Sequence, residues 1–329
     1  MRHPPPILRR RFSAALLVTA SLIGASATAE SYPDRPIRLV VPTAAGGASD
    51  TVARILAEKL RASLGVTVFV EPRPGANGSV GGQFVLREPA DGYTLMLGHT
   101  GIMAVNNHVY NDVPFDPIKD FAPVIWSVAF DNVLVVNSEL PVRNVAELIA
   151  YAKANPTKLS YGTPGYGTSV HMCMELFKLQ AGISIEHIPY KGMAAAMLDV
   201  LGGRVGVAFI DPLTALPHLK AGKLRALGVS GPQRSSFLPD VPTIAESGLP
   251  GYAVLGWNGI VVKAGTPRDR IDILNKHLNL ALKSPEVIKA LTENGANIKG
   301  GTPEAFGDFV RSEYRRWGDV VQNAHLPKA

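Results

Sequence analysis

Residues 37–50 read IRLVVPTAAGGASD, an apolar run with β-branched residues that ends in a loop of small residues. After the loop, apolar residues recur at helical spacing, at Val52, Ile55, Leu56 and Leu60. Small residues let a ligand approach the backbone, and the free N–H groups at a helix start favour an anion. The stretch therefore predicts a strand, a turn and a helix that together can hold a small carboxylate.

A second stretch of the same design lies about halfway along the chain, where residues 159–171 read LSYGTPGYGTSVH. Apolar residues follow it on one helical face, at Met172, Leu176 and Leu179. Ligands of open α/β sheets bind outside the carboxyl ends of the strands, which is where both turns are expected. Two such turns that face each other would form a clamp for a small carboxylate.

The rest of the chain alternates between strand and helix patterns. Strands are predicted near 37–41, 66–70, 93–97, 123–126, 132–137, 185–188, 205–210, 224–229 and 258–263. Helices are predicted near 49–63, 78–87, 144–154, 169–181, 193–202, 213–221, 267–282, 285–294 and 303–323. This alternation predicts an α/β architecture with largely parallel sheets. We place two crossover strands near 131–136 and 257–262. At the first the chain would leave one lobe to build a second, and at the second it would return to complete the first lobe.

The N-terminus has the pattern of a secretory signal. Four arginines precede a short apolar stretch at residues 12–25, and Ala27-Thr28-Ala29 fits the cleavage rule for small residues. We expect residues 1–29 to be a signal peptide that is removed after Ala29, which would leave the mature protein in the periplasm. A retained N-terminal anchor is the alternative.

Composition limits the kind of protein further. The chain has 329 residues, which suits about two domains, and is 46% hydrophobic and 18% charged, as globular proteins are. Without the four leader arginines, 29 Lys and Arg and 27 Asp and Glu remain, and they are dispersed, so nucleic-acid binding has little support. A single cysteine, Cys173, excludes an intramolecular disulfide and is expected to be a buried small hydrophobe.

Short motifs along the whole mature chain resemble those of the Bug/TctC family, the extracytoplasmic substrate-binding receptors of tripartite tricarboxylate transporters. Eight of them occur in the same order, which makes the set far more specific than any single tetrapeptide. They lie at 32–37, 42–50, 73–78, 91–95, 165–171, 187–192, 239–243 and 264–267.

The resemblance implies a two-lobed periplasmic-binding-protein (Venus flytrap) fold with two crossover strands. Lobe 1 would comprise residues 30–132 and 258–329, and lobe 2 residues 133–257. The family implies a small carboxylate as ligand, held by backbone amides, hydroxyls and ordered water, with no cofactor. Since neither turn contains Arg or Lys, neutral donors are expected to hold the charge.

Carried onto this sequence, the resemblance places first-lobe contacts at Thr43, Ala44, Gly46, Gly47 and Asp50. The second-lobe contacts are Thr163, Gly167, Thr168, Ser169 and His171. Thr100 follows a predicted strand and is a further candidate, and Asp211 is among the departures from the family pattern that are expected to line the variable end of the pocket. Structural alternatives remain for these positions: the glycines permit tight turns, Asp50 and the hydroxyls stabilise helix starts, and His171 packs.

The predicted function is a monomeric solute receptor that performs no chemistry and delivers a carboxylate to membrane transporter subunits. A receptor that presents its ligand to a membrane sensor would use the same pocket and remains an alternative. A secreted α/β enzyme is a second alternative. It has less support, because the sequence contains no Gly-x-Ser-x-Gly elbow, no Walker loop and no His-Glu-x-x-His motif.

Overall fold

The computed structural model describes Met1 and residues 32–329. The predicted signal-peptide cleavage site lies outside the described residues. Residues 33–329 form one compact unit that contains two β-sheets. No helix in the described part of the chain is long and apolar enough to cross a membrane.

The elements alternate along the chain much as predicted. The strands are β1 (Ile37–Val41), β2 (Val68–Pro72), β3 (Thr94–His99), β4 (Phe121–Phe130), β5 (Val133–Asn137), β6 (Ser160–Thr163), β7 (Glu186–Pro189), β8 (Val207–Ile210), β9 (Leu224–Val229), β10 (Gly256–Lys263) and β11 (Ala296–Ile298). The helices are α1 (Ala48–Leu64), α2 (Ser79–Arg87), α3 (Asn106–Val109), α4 (Val145–Ala154), α5 (Ser169–Ala181), α6 (Met193–Leu201), α7 (Pro212–Lys220), α8 (Arg268–Leu282), α9 (Pro285–Glu293) and α10 (Pro303–Asn323). A π-helical segment, Gly101–Val105, leads into α3.

Both sheets mix parallel and antiparallel strands. The first has the order β11-β4-β10-β3-β1-β2, and the second has the order β7-β6-β8-β5-β9. β1 is parallel to β2 and β3, and β6 is parallel to β7 and β8, whereas β4, β5 and β10 pair antiparallel with their neighbours. The prediction of largely parallel sheets is therefore wrong. β5 and β10, the first strand after each passage between the sheets, run against the βα strands, so each is antiparallel to both of its neighbours.

The two passages between the sheets meet at one serine. The chain leaves the first sheet at Asp131 and Asn132, between β4 and β5, and returns just ahead of β10. Ser230 is fully buried, and its backbone N–H donates to the carbonyl of Asn132 (2.7 Å). Its hydroxyl donates to the carbonyl of Val254 (2.7 Å) and accepts from the N–H of Asn132 (2.9 Å). Ser230 thus links the two passages by hydrogen bonds. The exact boundaries of the lobes stay a prediction.

The core follows from the apolar patterns. Leu39, Val40 and Val41 of β1 are fully buried, as expected of a strand whose two faces are both covered. α1 buries Leu56 and Leu60, which recur at helical spacing in the sequence. Cys173 is buried, as predicted. Packing of these apolar faces fixes the carboxyl ends of the strands, where the candidate site lies.

Candidate functional site

A cavity of about 260 Å³ lies at the carboxyl ends of β1, β3 and β8. Elements from both sheets line it, including the starts of α1, α5 and β10. Its lining residues are Thr43, Ala48, Ser49, Asn77, His99, Thr100, Gly101, Phe130, Asn132, Thr168, Ser169, Asp211, Gly256, Trp257 and Asn258. Predicted site residues from both turns therefore line one cavity, namely Thr43 from the first turn and Thr168 and Ser169 from the second. The separate candidates Thr100 and Asp211 line it as well.

The first turn is held in place by its own carboxylate. Gly46 has a φ of +83°, where a side chain would be strained, and its N–H donates to Oδ2 of Asp50 (2.9 Å). Nε of Arg54 donates to the same oxygen (2.9 Å). The bond from Arg54, helped by the Gly46 N–H, keeps the pKa of the Asp50 carboxyl below its usual value although burial opposes this. Asp50 is 3% exposed and shapes the turn rather than lining the cavity.

The other predicted residues of this turn differ in position. Ala44 and Gly47, like Gly46, are exposed and are not among the lining residues. Thr43 does line the cavity, and its hydroxyl is buried without a hydrogen-bond partner in the described part of the chain. A buried hydroxyl needs such a partner, which a ligand or a water molecule can provide.

A neutral histidine lies beside Thr100. The N–H of Gly101 donates to Nδ1 of His99 (3.1 Å), which assigns the proton of the neutral ring to Nε2. Burial lowers the pKa of His99 to about 4, so the ring is neutral at pH 7. Its Nε2 is buried with no partner among the described residues. Thr100 is 2% exposed, and its Oγ1 accepts the backbone N–H of Trp257 (3.2 Å), so it joins β3 to β10.

The second turn presents Ser169 more openly than Thr168. The hydroxyl of Thr168 donates to the carbonyl of Gly165 (2.8 Å), and its side chain does not cap α5. The hydroxyl of Ser169 has no hydrogen-bond partner among the described residues. The first N–H groups of α5 have no side-chain cap either, so they and Ser169 are available as donors.

Three predicted contacts of the second turn, Thr163, Gly167 and His171, do not line the cavity. Oγ1 of Thr163 contacts Nε2 of His187 (2.7 Å), and the N–H of Gly167 donates to Nδ1 of His171 (3.4 Å). His171 is 1% exposed, and its ring centroid lies 4.3 Å from that of His187. Burial lowers the pKa of His171 to about 2, so it is neutral and packed. These residues hold the second turn in place through contacts outside the cavity.

The lining contains no Lys or Arg among the described residues, and its one acid is Asp211. Oδ1 of Asp211 caps α7 by accepting the N–H of Thr214 (2.8 Å). In the part of the chain that is described, no group of three or more His, Cys, Asp or Glu side chains is placed to hold a metal ion. The cavity therefore offers mainly neutral polar groups.

Several lining residues were not predicted from the sequence. Ser49 is adjacent to Asp50 in the first turn, and Asn77 belongs to the family motif at 73–78, so both had a local signal. Trp257 is 1% exposed and packs edge-to-face against Phe306 with ring centroids 5.8 Å apart, and it also lines the cavity.

Comparisons with known proteins agree with the predicted family and fold. Residues 52–326 match the family described as "Tripartite tricarboxylate transporter family receptor". The solved structure of R. palustris Rpa4515 with adipate is 37% identical, with a TM-score of 0.82, and covers 91% of this chain and 100% of its own. The periplasmic binding protein BugD is 34% identical, with a TM-score of 0.79 and coverage of 91% and 100%.

A third structure, MatC (Rpa3494) from Rhodopseudomonas palustris with bound malate, is 29% identical with a TM-score of 0.79. The match covers 88% of this chain and 100% of MatC. Together, these likenesses confirm the predicted periplasmic-binding-protein fold.

Proposed function

The chain belongs to the tripartite tricarboxylate transporter receptor family, and on that premise we propose that it binds a small carboxylate in the cavity described above. Two structural relatives hold such ligands, adipate in Rpa4515 and malate in MatC. The observation that carries the proposal is that Thr43 from the first turn and Ser169 from the second line one cavity. Both hydroxyls lack hydrogen-bond partners in the described part of the chain.

The carboxylate is held without a cation in this proposal. Donors come from Thr43, from Ser169 and from the open N–H groups at the starts of α1 and α5, neither of which has a side-chain cap. Hydrogen bonds to a charged group contribute about 1.5–3 kcal/mol each, and each helix dipole adds about 0.3–1 kcal/mol. Micromolar binding corresponds to about 8 kcal/mol after the cost of association, so several of these donors must act together.

The wider role is a periplasmic one. We propose that the protein is exported, cleaved after Ala29 and monomeric, that it delivers its ligand to the membrane subunits of a transporter, and that it does not convert the ligand. These points rest on family membership and on the pattern of the N-terminus.

The proposal is tested by thermal unfolding of the purified protein with adipate, malate, succinate, citrate, a neutral sugar or a cation. A carboxylate at about 100 times its dissociation constant should stabilise the protein by about 2.7 kcal/mol. Stabilisation by the sugar or the cation, with none by any carboxylate, would refute the proposal.

A matched pair of variants then tests the location of the site. Ser169→Ala removes the open hydroxyl and should weaken carboxylate binding about tenfold or more in calorimetry. Ser312→Ala makes the same change on the exposed face of α10 and should leave affinity unchanged. Equal affinities in the two variants would contradict the proposed position of the carboxylate.

A further inference from the structure

One end of the cavity presents acceptors instead of donors. Asp211 follows β8, and Asn132 precedes β5. These strands pair antiparallel with Val133 opposite Ile210, so the register continues with Asn132 opposite Asp211. Both residues line the cavity, and this end of it lies at the passage between the two sheets.

The hydrogen bonds of Asn132 leave its side-chain oxygen available. Nδ2 donates to Sγ of Cys173 (3.6 Å), which turns Oδ1 away from that contact. Oδ1 accepts no hydrogen bond from the described residues. The backbone N–H and carbonyl of Asn132 are both bonded to Ser230, so the residue is held firmly.

Only one of the two carboxylate oxygens of Asp211 takes part in capping α7. Oδ1 takes the N–H of Thr214, while Oδ2 has no partner among the described residues. Asn caps helices as well as Asp does, so capping alone does not require a charge here. No Lys or Arg among the lining residues neutralises this carboxylate.

We infer that the acceptor pair, Oδ1 of Asn132 and Oδ2 of Asp211, binds the ammonium group of an amino acid. This inference rests on the proposed function, because the ligand's carboxylate occupies the donors at Thr43 and Ser169. An ammonium offers three N–H donors and a positive charge, which suits two acceptors of which one is charged. A hydroxyl offers one donor and no charge, and a second carboxylate in the same place is repelled by Asp211.

The experiment compares ligands that differ at one carbon. Succinate, malate and free aspartate carry hydrogen, hydroxyl and ammonium at C2, and adipate, 2-hydroxyadipate and 2-aminoadipate repeat the series with six carbons. In calorimetry, the wild type should bind the amino compound about tenfold or more tighter than the unsubstituted acid in at least one series. The hydroxy compound should lie between them.

Asp211→Asn removes the charge and keeps the cap on α7, so the ligand-free variant should have the same melting temperature as the wild type. The preference for the amino compound should fall about tenfold, with affinity for the unsubstituted acid unchanged or higher. Asp240→Asn is the control, because it removes the same charge at an exposed position that does not line the cavity. It should keep the wild-type preference.

The outcomes separate the two proposals. If the unsubstituted acids bind the wild type as well as the amino compounds, or if Asp211→Asn weakens all ligands equally, the ammonium site is wrong while the carboxylate receptor stands. If none of the six compounds binds, the ammonium site is wrong, and the carboxylate proposal fails with it when no other carboxylate stabilises the protein.

Discussion

Replacing Asp50 tests whether this carboxylate contacts the ligand or holds the first turn. In the structure, its Oδ2 accepts hydrogen bonds from the N–H of Gly46 and from Nε of Arg54, and the residue is 3% exposed. Asp50→Ala removes both bonds and leaves the Gly46 N–H without its partner. We therefore expect a loss of stability and a deformed turn.

The size of the loss can be worked out bond by bond. A hydrogen bond from a backbone N–H to a charged group contributes about 1.5–3 kcal/mol. The pair with Arg54 counts for only about 0.3–0.5 kcal/mol, because the Arg54 side chain is 57% exposed and screened by solvent. An acid in the first turn of α1 adds about 0.3–1 kcal/mol through the helix dipole. The unfolding free energy of Asp50→Ala should therefore fall by about 2–4.5 kcal/mol.

Asp50→Asn is the informative companion variant. Its amide oxygen can still accept the Gly46 N–H, so the turn persists and carboxylate affinity should stay within about threefold of the wild type. The unfolding free energy of Asp50→Asn should fall by only about 1 kcal/mol, because this variant loses the charge but keeps the hydrogen bond from Gly46. Urea unfolding measures the stabilities, and calorimetry measures the affinities.

The pH dependence follows from the direction of the pKa shift. The folded-state pKa of Asp50 is lowered, so its stabilisation is complete above the unfolded-state value of about 3.9 and is lost as the pH falls through the folded-state pKa. The stability gap between wild type and Asp50→Asn should be constant at neutral pH and close in acid. A loss of affinity in Asp50→Asn with unchanged stability would refute this account and make Asp50 a ligand contact.

Three further outcomes are expected. Thr168→Ala should lower the unfolding free energy by about 1 kcal/mol but weaken carboxylate binding less than Ser169→Ala, because the Thr168 hydroxyl already donates to Gly165; calorimetry that ranks them in the opposite order contradicts this. Ser230→Ala should cost about 2 kcal/mol or more in urea unfolding, since it removes a fully buried hydroxyl with two hydrogen bonds. Carboxylate affinity should change little between low and high salt, because no Lys or Arg lines the described cavity; a steep decrease would indicate a cationic site elsewhere.

Local patterns in the sequence predicted the two turns well. The predicted strand at 37–41 and the predicted helix at 169–181 coincide with β1 and α5. Each is a run of apolar residues with one clear periodicity and small residues at its boundary, so neighbouring residues suffice to define it. β11, with three residues, and the π-helical segment 101–105 were not predicted, because neither is long enough to show a period.

Much of the candidate site depends on contacts that no local pattern contains. Asn258 lines the cavity because β10 pairs with β3, which places it opposite His99 although the two are far apart in sequence. The proton position on His99 depends on a backbone N–H, and the turn at Thr163 depends on His187. Sequence alone identified the residue types around the site but not which of them face the ligand cavity.

The residues that hold the two turns are distinct from those that line the cavity between them. Asp50 and Arg54 brace the first turn, and His171 and His187 brace the second, whereas Thr43, Ser169 and Asp211 face inward. A mutation at an inward-facing position can therefore change what is recognised while the frame stays intact. Such an arrangement makes the protein open to the evolution of new specificities, because variation in ligand choice is largely uncoupled from loss of fold.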